Sequence, residues 1–326
     1  MDVIKLENIT KSYSDAYPAL KNLKLKISGT YKLGIAGETG SGKSTLLKII
    51  AGLEQPDSGQ VWFNGNKVKG PEEKLVPGHR ELAYLSQKSE LPRFLRVIEI
   101  LKRESRISES QERKIFSACR ITKLLQKNTD HLSGGERQRV SWAIQLLKLP
   151  EVLLLDEPFS NQDTIHKEVM REVVNSLTED LNLPVIWVSH DPLDVLSWAE
   201  DILVMRSGKV IQRGTPQKIY YQPKNKYVAE LFGYCNFIDG QKWQIPKKNQ
   251  LCEIKGKILL RPESFLVSSG ANPEGREGTV IEKRFFGNID LLYVLMGDGE
   301  VVIVSAKAGK YVMNERVGVD SQIPES

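Results

Sequence analysis

The chain reads as an α/β fold on a parallel sheet followed by a small all-β domain, and three features of its 326 residues predict this. The string GETGSGKS, Gly37 to Ser44, stands between an alternating apolar run and a helical one. Two apolar runs, EVLLLDEP from Glu151 to Pro158 and PVIWVSHD from Pro184 to Asp191, follow at the spacing of successive parallel strands. Beyond about Asn236 the pattern changes to short β-rich runs. A single core stops growing near roughly 250–300 residues, so a large domain at 1–235 and a small one at 236–326 is the natural division.

Composition narrows the class. The chain is 40% hydrophobic and 27% charged, as in ordinary globular proteins. Its 46 basic and 41 acidic residues are interspersed, which argues against nucleic acid as a partner. Cys119, Cys235 and Cys252 are too few and too scattered for a zinc knuckle or a disulfide framework, and read as reduced thiols in a cytosolic protein. The start MDVIKLENIT lacks a signal peptide's basic and apolar regions. Apolar runs such as Val152–Leu155 are of strand length, far below the roughly 20 residues that cross a bilayer, so any pore must be a separate protein.

The first element is the phosphate loop. Leu33 and Ile35 form a strand before it, and Leu46, Ile49, Ile50 and Leu53 recur at helical spacing after it. In a G-x-x-x-x-G-K-[ST] pattern between strand and helix, Gly37, Gly40 and Gly42 let the backbone curl so that its N–H groups and the helix N-terminus face phosphate. The cradle runs through Gly37, Glu38, Thr39, Gly40, Ser41, Gly42, Lys43, Ser44 and Thr45. Lys43 would reach the β- and γ-phosphates of a bound nucleotide, and Ser44 would ligate Mg²⁺.

Next come the acids. EVLLLDEP is a buried strand ending in two carboxylates that strand alternation sends to opposite sides. Asp156 is placed to hold Mg²⁺ and Glu157 to polarise the attacking water. A solvated strand end also tolerates two acids, but the phosphate loop favours the catalytic reading. His190 closes the following strand, which should bring it to the same sheet edge near the γ-phosphate. A helix is expected to begin near Ser133 in LSGGERQ, with Val140, Ala143, Ile144 and Leu147 on its apolar face. Ser133, Gly134 and Gly135 then lie at its positive end, which suits phosphate oxygen and is equally an adequate helix cap.

In this order, phosphate loop, Gln87, LSGGE, LLLDEP, Ser160 to Asp163 and His190, the chain resembles an ABC transporter nucleotide-binding subunit over roughly residues 1–235. The resemblance implies a P-loop NTPase with a RecA-like core, an antiparallel β subdomain and a helical subdomain at about 88–135. It implies a head-to-tail homodimer in which each LSGGE helix presses on the γ-phosphate held by the other subunit. Tyr13 is assigned to stacking on adenine, with Tyr17 an alternative. Gln87 is assigned to sensing Mg²⁺ and coupling to a membrane partner, and Asp163 to the loop crossing the dimer, where Gln162 departs from the family's usual leucine.

The stretch Gly208–Gly233 resembles the tail of import subunits for iron, polyamines, sulfate, molybdate or sugars. Leu291–Met296 and Val301–Val304 flank Gly297-Asp298-Gly299, a hairpin. With Arg261-Pro262-Glu263 and GTVIEKRFFGNIDLLYV, this part is similar to the family's accessory barrel of the oligonucleotide-binding type. The resemblance implies an ATP hydrolase powering import, peripheral on the cytoplasmic face of a bacterial inner membrane. Its partners would be a permease and, indirectly, an extracytoplasmic solute-binding protein. The alternatives are an export ATPase and a soluble ABC ATPase. The latter usually carries two cassettes or a long coiled coil, and neither pattern is present in the sequence.

Overall fold

The computed structural model describes residues 2–13, 18–29, 32–86, 91–159, 164–245, 252–270 and 276–322. Tyr17, Gln87 and the 160–163 loop, which carries Gln162 and Asp163, therefore lie outside the described residues. Contacts divide the chain into two units, Met1–Pro216 and Gln217–Ser326, a boundary ahead of the division expected at 235.

The first unit begins with β1 (Asp2–Ser12) and β2 (Pro18–Ser28), followed by β3 (Lys32–Ala36) and helix α1 (Lys43–Ile50). β4 (Ser58–Phe63) and β5 (Asn66–Lys67) return beside β1, giving an antiparallel sheet of order β2-β1-β4-β5. A second sheet is formed by β3 with β6 (Leu82–Ser86), β7 (Val152–Asp156), β8 (Val185–Val188), β9 (Asp201–Arg206) and β10 (Lys209–Gly214). Its order is β10-β9-β3-β8-β7-β6, parallel from β9 to β6 with β10 antiparallel at the edge.

Strands covered on both faces need apolar side chains at every position, which is why Leu153, Leu154 and Leu155 in β7 and Val185, Trp187 and Val188 in β8 are all fully buried. Helix α1 touches both sheets and buries Leu46, Leu47, Ile49 and Ile50 in one core with them. It ends at Ile50, so Leu53, expected to extend its face, packs on that core from the following turn.

Between β6 and β7 lie α2 (Val97–Glu104), α3 (Glu109–Ala118) and α4 (Gly134–Leu146), in the region expected to be helical. The face foreseen for α4 is only partly right. Val140, Ala143 and Leu147 are buried but Ile144 is only half-buried, while Trp142 and Leu146 on other faces are buried as well. A helix surrounded by neighbours has no single apolar stripe for periodicity to find. Helices α5 (Thr164–Glu179) and α6 (Pro192–Trp198) follow β7 and β8. No helix is long and apolar enough to cross a membrane among the described residues.

The second unit opens inside α7 (Pro216–Tyr221), at Gln217, and continues with α8 (Lys226–Leu231), then a small sheet of β11 (Asn236–Ile238), β12 (Glu253–Ile254) and β13 (Lys257–Leu260). Five antiparallel strands complete it: β14 (Phe265–Ser269), β15 (Arg276–Phe285), β16 (Ile289–Met296), β17 (Val301–Lys307) and β18 (Arg316–Ser321). Their order is β14-β18-β15-β16-β17, and the two outer strands approach each other, so the sheet curls toward the expected barrel. The foreseen hairpin is β16–β17, with Leu295 opposite Val301.

Inside, Trp243 stacks edge-on against Phe265 among Val280, Leu292, Val294, Val302 and Val319. Arg261 is 1% exposed. It donates to the carbonyls of Tyr220, Ala229, Gly233 and Tyr234 at 2.8–3.3 Å, and its guanidinium lies 4.0 Å from the Tyr220 ring centre. This fastens the end of the α7–α8 segment to the β strands.

Candidate nucleotide site

In a parallel sheet the loops leaving the carboxyl ends of the strands share one edge. Here that edge collects the phosphate loop after β3, Glu157 after β7 and His190 after β8. The loop keeps its shape through close approaches. Gly37 has φ +154°, and a Cβ there would stand 2.3 Å from the Met205 carbonyl oxygen. Gly40, at φ +80°, faces open space on its Cβ side. Lys43 is 5% exposed. Its Nζ donates to the carbonyls of Gly37 at 2.7 Å and Glu38 at 3.0 Å. Burial pushes its pKa down, and the negative charges of Glu157, Asp156 and Glu38 oppose the shift.

Ser44 Oγ donates to Asp156 Oδ1 at 2.8 Å, and Tyr84 Oη donates to Asp156 Oδ2 at 2.6 Å. Burial, then the hydrogen bond to Asp156, pushes the Tyr84 phenol well above its ordinary pKa, so it stays a donor. A hydroxyl and a carboxylate presented together form the hard-oxygen set that Mg²⁺ prefers. Among the described residues there is no cluster of three or more His, Cys, Asp or Glu that would suggest a softer, all-protein metal centre.

The alternation expected to send Asp156 and Glu157 to opposite sides stops at Asp156. Glu157 takes φ +48°, a left-handed conformation rare for a residue with a side chain and frequent at functional sites. Its N–H donates to the Val188 carbonyl at 2.9 Å. His190 Nδ1 lies 3.8 Å from Glu157 Oε2, and both side chains are partly exposed, so the pair faces solvent beside the buried Lys43.

A cavity of about 610 Å³ runs along this edge, lined by Tyr13, Pro18, Lys21, Thr39, Gly40, Gly42, Lys43, Ser44, Thr45, Glu157 and Ser207, among others. Tyr13 is 62% exposed at its mouth, with Oη 3.4 Å from Thr45 Oγ1. Lys11 Nζ lies 5.6 Å from the ring centre, and an exposed ring at the mouth of this cavity can offer a face to a base. Glu38 stands at the loop with Oε1 3.5 Å from Arg206 Nε, and Ser41 is buried beneath it. Among the contributors that escaped the sequence reading are Tyr84, Lys21 and Ser207.

The LSGGERQ helix begins where expected. Ser133 Oγ accepts from Glu136 N at 3.2 Å, and Glu136 Oε2 accepts from Ser133 N at 3.0 Å, a capping box that fixes the helix start. Ser133 and Gly134 remain exposed, nothing lies within 4 Å of a Cβ on Gly134, and none of Ser133, Gly134 or Gly135 lines the cavity. The positive end of this helix thus lies outside its own subunit's nucleotide cavity.

Comparisons agree with this geometry. A family model described as ABC transporter matches residues 20–160. The spermidine/putrescine import ATP-binding protein PotA of Legionella pneumophila is 30% identical over 331 residues, covering 93% of this chain and 90% of that protein. The Fe(3+) ions import ATP-binding protein FbpC of Pseudomonas fluorescens is 32% identical over 310 residues, covering 88% and 86%. Among solved structures, the dimeric ATP-binding cassette MJ0796 in a post-hydrolysis state with ADP and Pi matches with TM-score 0.55 at 28% identity, covering 65% of this chain and 98% of that one.

Proposed function

The chain belongs to the import ATP-binding subunits of ABC transporters, and from that premise we propose that it works as a head-to-tail homodimer whose two nucleotide sites are each completed by the partner's LSGGERQ helix. The observation that carries this is the division of the site. Lys43, Ser44 and Glu157 line the cavity, while Ser133, Gly134 and Gly135 present an exposed helix N-terminus away from it. The dimeric arrangement of MJ0796 with ADP and Pi supports the same reading.

ATP hydrolysis exchanges the bond from the γ-phosphorus to the β–γ bridging oxygen for a bond to a water oxygen. Lys43 neutralises the β- and γ-phosphate oxygens from its buried seat on the loop carbonyls. Glu157 accepts the proton of the attacking water, and His190, 3.8 Å away, orients the water and the γ-phosphate. Ser44 and Asp156 would hold Mg²⁺, which when bound neutralises phosphate charge. Tyr13 stacks on adenine, and Gln87 and Asp163 keep the metal-sensing and dimer-crossing roles implied by the family. Closure around two ATP and reopening after hydrolysis drive a separate permease at the cytoplasmic face of the inner membrane, supplied by a solute-binding protein.

The test is the oligomeric state of Glu157→Gln by light scattering. This variant keeps the cavity but loses the base. It should dimerise with ATP and return to monomer with ADP. A variant that binds ATP and stays monomeric overturns the shared-site reading.

A further inference from the structure

Behind His190 lies a chain of polar side chains, buried at Ser189 and Asp194 and half-buried at Arg171, that the reaction does not touch. Ser189, directly before the histidine, is 3% exposed, and its Oγ donates to Asp194 Oδ2 at 3.2 Å. The other oxygen of Asp194, Oδ1, accepts from Arg171 Nη2 at 2.5 Å. Asp194 is itself 3% exposed, so its charge is almost wholly withdrawn from water. On the other side, Ser189 Oγ accepts from Asp191 N at 3.1 Å, directly after the histidine. One hydroxyl thus ties both flanks of His190 to a buried carboxylate.

This arrangement is costly. Arg171 Nε is buried with no acceptor among the described residues, and withdrawing the Asp194 carboxylate from water costs desolvation that hydrophobic packing would avoid, while the half-buried Arg171 also reaches Glu168 at the surface. Arg171 belongs to α5, the helix that follows β7 and Glu157, whereas Ser189 and His190 directly follow β8. A backbone bond, Glu157 N to Val188 O at 2.9 Å, already fixes the two strand ends. A second backbone bond, Ser189 N to Ile35 O at 3.3 Å, carries the pairing one residue further, and it is at residues 190–191, beyond it, that the polar chain acts.

We infer that Arg171, Asp194 and Ser189 are positioning residues for His190: the buried Asp194, held by a half-buried Arg171, anchors the Ser189 hydroxyl, which fixes the histidine's backbone at its distance from Glu157. The inference rests on the reading of His190 as a residue of the hydrolytic site. Displacing a group that orients a nucleophile by a fraction of an ångström lowers turnover without weakening the contacts that hold the bound nucleotide.

The test uses steady-state ATP hydrolysis and fluorescent-ATP binding by the full chain, with Ser189→Ala, Ser189→Thr, His190→Ala and the Ser189→Ala/His190→Ala double variant. Ser189→Ala removes one oxygen and leaves the ion pair, so it folds. Its kcat should fall about tenfold while ATP affinity stays within about twofold, and Ser189→Thr should restore turnover. In the His190→Ala background, Ser189→Ala should add no further loss, because both changes act through one group. Additive losses, or a kcat for Ser189→Ala within about twofold of wild type beside an inactive His190→Ala, overturn the inference alone. Wild-type turnover in His190→Ala overturns the site reading and the inference with it.

Discussion

Two glycines of the phosphate loop should fail in opposite ways when replaced by alanine. At Gly37 a Cβ would stand 2.3 Å from the Met205 carbonyl oxygen and 2.8 Å from Ser41 Oγ, at φ +154°. The backbone conformation alone costs about 1–3 kcal/mol, and forced repacking another 1–3 kcal/mol or so. The sum, about 2–6 kcal/mol, is comparable with the whole stability of a marginal domain at about 5–15 kcal/mol. At Gly40, φ is +80° and no atom lies within 4 Å of the new Cβ, so only a backbone cost of about 1–2 kcal/mol remains. Gly40 lines the candidate nucleotide cavity, so the methyl is expected to intrude on the phosphate volume. Urea unfolding without nucleotide should show Gly37→Ala strongly destabilised and Gly40→Ala lowered by only about 1–2 kcal/mol. Titration with fluorescent ATP should show Gly40→Ala weakened by tenfold or more, about 1.4 kcal/mol. If Gly40→Ala binds ATP normally, or unfolds as easily as Gly37→Ala, the assignment of the cradle is refuted.

Tyr84→Phe removes the 2.6 Å bond to Asp156 and should cost about 1.5 kcal/mol in urea unfolding. It should also raise the Mg²⁺ concentration for half-maximal ATPase by about tenfold; an unchanged requirement would separate Tyr84 from the metal position. In the second unit, the hydrogen bond from Arg276, then that from the Glu300 backbone, holds the Asp298 carboxyl at about 2 against an ordinary 3.8. A depressed folded pKa stabilises above the unfolded value and loses that contribution as pH falls through the folded one. The melting-temperature gap between wild type and Asp298→Asn should therefore be full at neutral pH and close between pH 3.8 and about 2; a pH-independent gap would contradict this. Arg261→Met leaves the carbonyls it serves without donors and should cost more than about 3 kcal/mol, seen as faster amide exchange across α8; unchanged exchange would contradict the fastening role.

The phosphate loop, the two carboxylates and the LSGGERQ cap were legible because their chemistry fixes residue type and spacing locally. The placement of His190 was legible through a topological rule, since successive parallel strands share an edge. Tyr84 was not, because it reaches Asp156 only through a pairing that sets Ser86 beside Asp156, across a long sequence interval. The same holds for Lys21 and Ser207, which meet at the cavity through the bond from Lys21 N to Gly208 O. Helix α4 hid its second buried face, with Trp142 and Leu146, because enclosure on several sides erases amphipathic contrast. The attachment of residues 217–235 to the β strands of the same unit is made largely through the side chain of Arg261, with Tyr220–Glu263 and Cys252–Pro223 beside it, and no local pattern announces it.

That arginine carries a full charge, yet its hydrogen-bond partners are backbone carbonyls at the ends of the α7–α8 segment. Carbonyls neither titrate nor exchange counterions, and a guanidinium 1% exposed lies beyond the reach of screening salt. Peripheral pairs such as Lys226–Glu230 weaken as ionic strength rises. The fastening of the segment is therefore a constant of the molecule, indifferent to the medium around it, while the charged periphery responds to whatever salt the cell supplies.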